Sequence, residues 1–103
     1  MNNKVLTLLG FASKVGRLSF GANETLNSVK SRKAKTVVTA CDISAKSLKE
    51  ISFFGEKENI PVLTLKGIDI ENLSKAIGRR CGMVAVNDIG FAEALKEEIL
   101  NDQ

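Results

Sequence analysis

The sequence predicts an α/β protein whose mixed, roughly four-stranded sheet is sandwiched between helices, and three observations lead to that class. Segments with helical apolar spacing alternate with short apolar or β-branched runs from one end to the other. One run, Thr36-Val37-Val38-Thr39-Ala40, is nearly continuous in its apolar character, as a central strand covered on both faces must be. At 103 residues and 44% apolar composition, the chain suits one compact domain over residues 1–103, with no room for a second.

In chain order, Val5, Leu8, Leu9, Ala12 and Val15 recur at helical spacing and predict a helix from about Lys4 to Lys14. Gly16 closes it, since glycine takes the left-handed conformation of a helix end. Leu18 to Phe20 is a short strand stopped by Gly21. A second helix follows to about Arg32, burying Ala22, Leu26 and Val29. After the strand at Thr36–Ala40, Ser44 caps a third helix that runs to about Asn59, with Leu48, Ile51 and Phe54 or Gly55 turned inward. Pro61 forbids further helix and opens a strand through Leu65. A short helix over Ile70 to Ile77 leads to a last strand, Met83 to Val86. The closing helix, from about Phe91 to Leu100, carries Phe91, Ala94, Leu95 and Ile99 on one face. The strand at Leu18 lies too close to its helical neighbours to require a parallel partner, so a mixed sheet is expected.

Lys and Arg outnumber Asp and Glu by 15 to 12, a net charge of +3. That mild excess permits nucleic-acid binding but creates a strong potential only where basic groups cluster. No apolar run approaches the roughly 18 residues of a membrane span, and the N-terminus reads as an amphipathic helix and not a secretory signal. Cys41 and Cys81 occur without a CxxC and without any His, so they are expected to be reduced thiols of a cytoplasmic protein. Catalysis has thin support: there is no GxSxG, no phosphate loop and no dinucleotide glycine pattern. No cofactor or metal is implied. Asp42 and Asp88 follow strand ends, where α/β enzymes often keep functional carboxylates, but turn and cap roles account for them. The five Phe are the only aromatics, and most occupy apolar positions instead of forming platforms for single-stranded bases.

The segment Gly21-Ala22-Asn23-Glu24 concentrates the remaining chemistry. Gly21 permits a tight strand-to-helix turn, which places Asn23 and Glu24 in the first helical turn. The free N–H groups there favour an anion such as a phosphate. Asn and Glu side chains at that place can read base edges, and Asn27 and Lys30 continue the exposed face. Spacing alone favours a plainer reading, in which Asn23 caps the helix and Glu24 complements its dipole. Arg79-Arg80-Cys81-Gly82 is a second candidate, able to bring forked donors to a phosphate backbone, and equally readable as a solvated loop. Lys14 and Arg17 flank the turn leading to Gly21. Lys30, Arg32, Lys33 and Lys35, a helix length away, read as a solvated face.

Three segments carry a resemblance. Ala12-Ser13-Lys14-Val15-Gly16-Arg17-Leu18 is similar to an A-x-K-[AV]-G-[KR]-L motif, Gly21-Ala22-Asn23-Glu24 matches G-x-N-E, and Leu73-Ser74-Lys75-Ala76-Ile77-Gly78 looks like L-G-x-A-[IC]-G. In this order and separation, the chain resembles the kink-turn-binding superfamily of ribosomal proteins, the L-seven-Ae and L-thirty-e group, as a small bacterial stand-alone member. The resemblance implies a three-layer α/β/α sandwich that binds RNA and catalyses nothing. It implies structured, kink-turn-like RNA as the partner, possibly ribosomal, with Asn23 and Glu24 contacting guanines of sheared G·A pairs and Gly21 allowing close backbone approach. Ala22, Lys14, Arg17, Lys30 and the loop Arg79, Arg80, Cys81 complete the implied RNA surface, the loop lying beside an extruded nucleotide. Asn27 stands where the family motif continues to Lys, which removes one cation. Ser44 stands where archaeal and eukaryotic members have a glutamate followed by proline, and Ser74 replaces a glycine. The same resemblance allows a second function class, a protein-interaction scaffold without kink-turn selectivity; an enzyme using Asp42 or Asp88 is a third. A monomer that keeps off membranes is expected.

Overall fold

The computed structural model describes residues 3–101, and these form five helices and four strands in the order α1 (Asn3–Lys14), β1 (Leu18–Phe20), α2 (Gly21–Lys30), β2 (Thr36–Thr39), α3 (Ala45–Lys57), β3 (Val62–Thr64), α4 (Ile70–Ile77), β4 (Met83–Val86) and α5 (Ile89–Asn101). The sheet order is β1-β4-β2-β3. β4 runs antiparallel to both β1 and β2, with Phe20 opposite Val84 and Thr39 opposite Met83, whereas β2 and β3 are parallel. The sheet is mixed and four-stranded, as expected.

Alternation along the central strands produces the three layers. Val38, Val84 and Val86 face α1, α4 and α5, packing with Leu9, Leu73 and Leu95. Val37, Met83 and Ala85 face the other way, against Val29 of α2 and Ile51 of α3. β2 and β4 are buried at every position, which is why their sequences show no polar alternation. α2 docks in part through hydroxyls. Thr25 and Ser28 are buried, the Ser28 and Ser19 hydroxyls lie 2.7 Å apart, and Asn87 Nδ2 donates to Ser19 Oγ at 3.0 Å. Gly55 lets α3 approach β3: a Cβ there would stand 2.7 Å from Val62 Cγ2 and 2.8 Å from the Ile60 carbonyl oxygen.

Several details differ from the sequence expectation. α2 ends at Lys30, because Arg32 takes a left-handed φ of 62° and its N–H returns to the Val29 carbonyl. Asn59, at φ 60°, likewise ends the α3 turn, so that helix stops at Lys57. Ala22 and Val15 are exposed instead of buried: Val15 lies beyond the last residue of α1, and Ala22, though on the same face of α2 as Thr25 and Val29, stands in the first turn at the open end of the helix. α5 begins at Ile89, two residues before the expected start, because Asp88 accepts from the Phe91 N–H at 2.9 Å and so caps the helix. Leu65 is buried but follows the end of β3. Among the described residues, no helix is long and apolar enough to cross a membrane.

Candidate functional site

The first turn of α2 is open. Its cap residue, Phe20, is extended (φ −104°, ψ 135°) and makes no side-chain capping bond. Asn23 therefore does not cap the helix, contrary to what spacing alone favours. The three helices that follow are capped differently. Ser44 Oγ accepts from the Ser47 N–H at 3.1 Å, Asp69 from Asn72 at 2.8 Å, and Asp88 from Phe91. Gly21, at φ 84°, makes the turn from strand to helix, and a Cβ there would meet nothing within 4 Å. Ala22, Asn23, Glu24 and Asn27 are exposed along this side of the helix.

The loop 79–82 lies against this turn. β4 pairs with β1, so the residues entering Met83 arrive beside those leaving Phe20. The Arg79 guanidinium stands 4.5 Å from the Phe20 ring centroid. Burial pushes the Cys81 thiol above its usual pKa, while the Gly21 amide, the Arg79 charge and the Met83 amide pull it down. That set of influences locates the thiol between the two segments. Ser74 ties the loop to α4: its hydroxyl accepts from the Cys81 N–H at 3.1 Å and is 3.3 Å from the Cys81 carbonyl. Gly82 is required for a close approach, since a Cβ would lie 2.7 Å from Ile43 Cγ2. Ala22, Ile43, Ser44, Ser47, Ile70 and Gly82 share a cleft of about 190 Å³, so the starts of α2, α3 and α4 converge. Converging helix starts direct partial positive charge toward one surface.

The remaining expected residues fall around this centre unevenly. Arg80 is exposed and shares a shallow surface with Lys75, Gly78 and Arg79. Lys14 lines a neighbouring groove between α1 and α4, together with Phe11, Lys75 and Gly78. Arg17 stands at the opposite end of β1, where its carbonyl accepts from the Asn87 N–H, about 13 Å along the strand from Gly21. Lys30 is at the far end of α2, about 14 Å away, with Nζ 4.7 Å from the Phe54 ring centroid. Ser44 is near the centre but serves as the α3 cap. Asp42 and Asp88 each serve a helix, Asp42 accepting from the Ile70 N–H at 2.8 Å. They follow antiparallel strands, and so lie at opposite ends of the sheet. Phe20 was not anticipated as part of the site; its signal was an aromatic immediately before Gly21. Among the described residues, no group of three or more His, Cys, Asp or Glu could hold a metal.

A family model described as the ribosomal protein L7Ae/L30e/S12e/Gadd45 family matches residues 3–96. The chain belongs to this family. Over 96 residues the chain is 28% identical to a protein named RNA-binding protein YlxQ of Enterococcus faecium, covering 93% of this chain and 91% of that one. Among solved structures, a Bacillus halodurans C protein of unknown function matches with a TM-score of 0.90 at 25% identity, covering 99% of this chain and 100% of the other. A 15.5kD RNA binding protein of Giardia lamblia matches with a TM-score of 0.78 at 17% identity, covering 98% and 89%, a likeness of fold.

Proposed function

We propose that this family member is a non-catalytic RNA-binding protein that recognises kink-turn-like RNA with the first turn of α2 and the neighbouring loop 79–82. The observation that carries the reading is their juxtaposition: an open helix start with exposed Asn23 and Glu24, beside a guanidinium and a glycine-bearing loop. Open amides favour a phosphate. Asn offers a donor and an acceptor, and Glu an acceptor, to guanine edges exposed by sheared G·A pairs. Arg79 and Arg80 supply phosphate contacts, the salt-dependent part of affinity. The family membership and the RNA-binding names of relatives support the RNA part. Association with the ribosome and a cytoplasmic location belong to the same proposal.

The test is a gel shift with a kink-turn duplex against a duplex whose G·A pairs are replaced by Watson–Crick pairs. Selective binding of the first is expected. Equal binding of both removes the kink-turn reading, and binding of neither removes RNA binding, leaving a protein-interaction scaffold. A salt titration of the bound complex counts phosphate contacts from its slope.

A further inference from the structure

The described residues include two contacts between a cation and an aromatic ring, and they differ in kind. Lys30 over Phe54 places a compact ammonium on a ring between α2 and α3. Arg79 over Phe20 places a flat, delocalised cation on a ring beside the open turn. A guanidinium has two faces, and its central carbon stands 4.5 Å over the Phe20 ring centroid. Arg79 is exposed, so the group remains accessible from solvent. Guanidinium planes are surfaces on which unstacked RNA bases settle.

Phe20 is a rigid floor for such a surface. It is the last residue of β1, paired opposite Val84, and its half-buried ring packs against the core shared with α1, α4 and α5. The other rings cannot serve this place: Phe11 is on α1, Phe53 and Phe54 are on α3, and Phe91 is on α5. A long arginine side chain held on a fixed ring loses less freedom when a ligand stacks on it.

We propose that Phe20 is a positioning residue: its ring holds the Arg79 guanidinium as a flat platform on which an unpaired RNA base stacks beside the start of α2. This rests on the RNA-binding reading above and assigns a role to a residue outside the G-x-N-E segment. The ligand chemistry is one unstacked nucleobase, held by its face and so with little preference for its identity.

The experiment measures Kd for the full chain on a kink-turn duplex and on versions made abasic at each unpaired nucleotide in turn. Base stacking is worth about 5- to 150-fold per base. One abasic position is expected to cost the wild-type protein about tenfold. Phe20→Leu, which keeps apolar packing, and Arg79→Lys, which keeps the charge but loses the plane, should each cost about as much on intact RNA. Neither should cost anything further on that abasic RNA, and the double variant should bind no worse than either single one. Phe20→Tyr, which keeps the ring, should bind like wild type. Thermal melts check the fold, and Phe20→Met replaces Phe20→Leu if the latter does not fold. The proposal is overturned if the Phe20 variant weakens intact and abasic RNAs equally, as a general structural role would, or if Arg79→Lys binds like wild type. It is also overturned if no abasic position matters while the kink-turn duplex still binds, an outcome that leaves the RNA reading standing. Failure of the wild-type protein to bind any of these RNAs overturns both.

Discussion

At its C-terminal end, α2 is tied down by several contacts. The Ala34 N–H returns to the Ser28 carbonyl at 3.0 Å, Lys30 lies over Phe54, and Arg32 Nε donates to Glu58 at 2.9 Å. The backbone leaves the helix through bonds from Ser31 and Arg32 to the last turn. At its N-terminal end the same helix has no side-chain cap, a glycine with open space around it, and three exposed residues in succession. A side-chain cap is worth about 1 kcal/mol. The chain supplies such caps to α3, α4 and α5, so the open turn of α2 is a departure from its own local habit. Departures from local consistency concentrate where a surface serves something other than the fold.

Four variants test this contrast. The largest effect is expected from Asn23→Ala with Glu24→Ala. Each base-edge contact is worth about 1–3 kcal/mol, so losing two should lower discrimination between the kink-turn and control duplexes by roughly 30-fold or more. Both residues are exposed, so Tm should move little; a large drop in Tm would assign them to the fold instead. Next, Gly55→Val pushes a side chain into Val62 and the Ile60 carbonyl. Overpacking should cost about 2–3 kcal/mol, lowering Tm by roughly 10–20 °C. The RNA affinity of the fraction that remains folded, measured well below Tm, should be unchanged.

Gly21→Ala should cost about 1 kcal/mol of stability, from the positive φ alone, since its Cβ meets nothing. If RNA approaches the backbone there, affinity should fall by more than that stability loss, and chemical denaturation beside a binding titration compares the two. The smallest effect belongs to Arg32→Ala. Arg32 is 79% exposed in its ion pair with Glu58, and such pairs contribute about 0–1 kcal/mol. A double-mutant cycle with Glu58→Ala measures the coupling, and a loss of RNA affinity comparable to that of Asn23→Ala with Glu24→Ala would erase the contrast between the ends.

The fold was largely legible in the sequence because its strands are short apolar runs and its helices keep their spacing. β1, α4 and β4 have the expected boundaries. Boundaries slipped at Arg32, Asn59 and Asp88, where a left-handed residue or a cap decides the matter and apolar periodicity carries no information. The central part of the candidate site was legible too, through Gly21-Ala22-Asn23-Glu24 and the arginine loop. Two features were not. A stretch of sequence cannot show that a cap is missing, because Asn23 has the right chemistry to cap and stands three residues too far along to do it. Nor does it place Phe20 under Arg79, 59 positions later in the chain, since that contact depends on β1 and β4 being neighbours. Conversely, Arg17 and Lys30 looked close to Gly21 in the sequence, and three strand residues or a helix length carry them away from it.

The sheet order has a further consequence, for the time at which the site comes into existence. β1 and α2 are made early in synthesis, but β1 bonds to β4, with Leu18 opposite Val86. Such distant pairing forms late, after the intervening loop has been closed. Until β4 has emerged and inserted between β1 and β2, the helix start has neither the Arg79 loop nor a fixed strand behind it. A partially synthesised chain therefore carries the Gly21–Glu24 segment without the surface that surrounds it. Ligand recognition by this surface is in that sense a report that the sheet has closed.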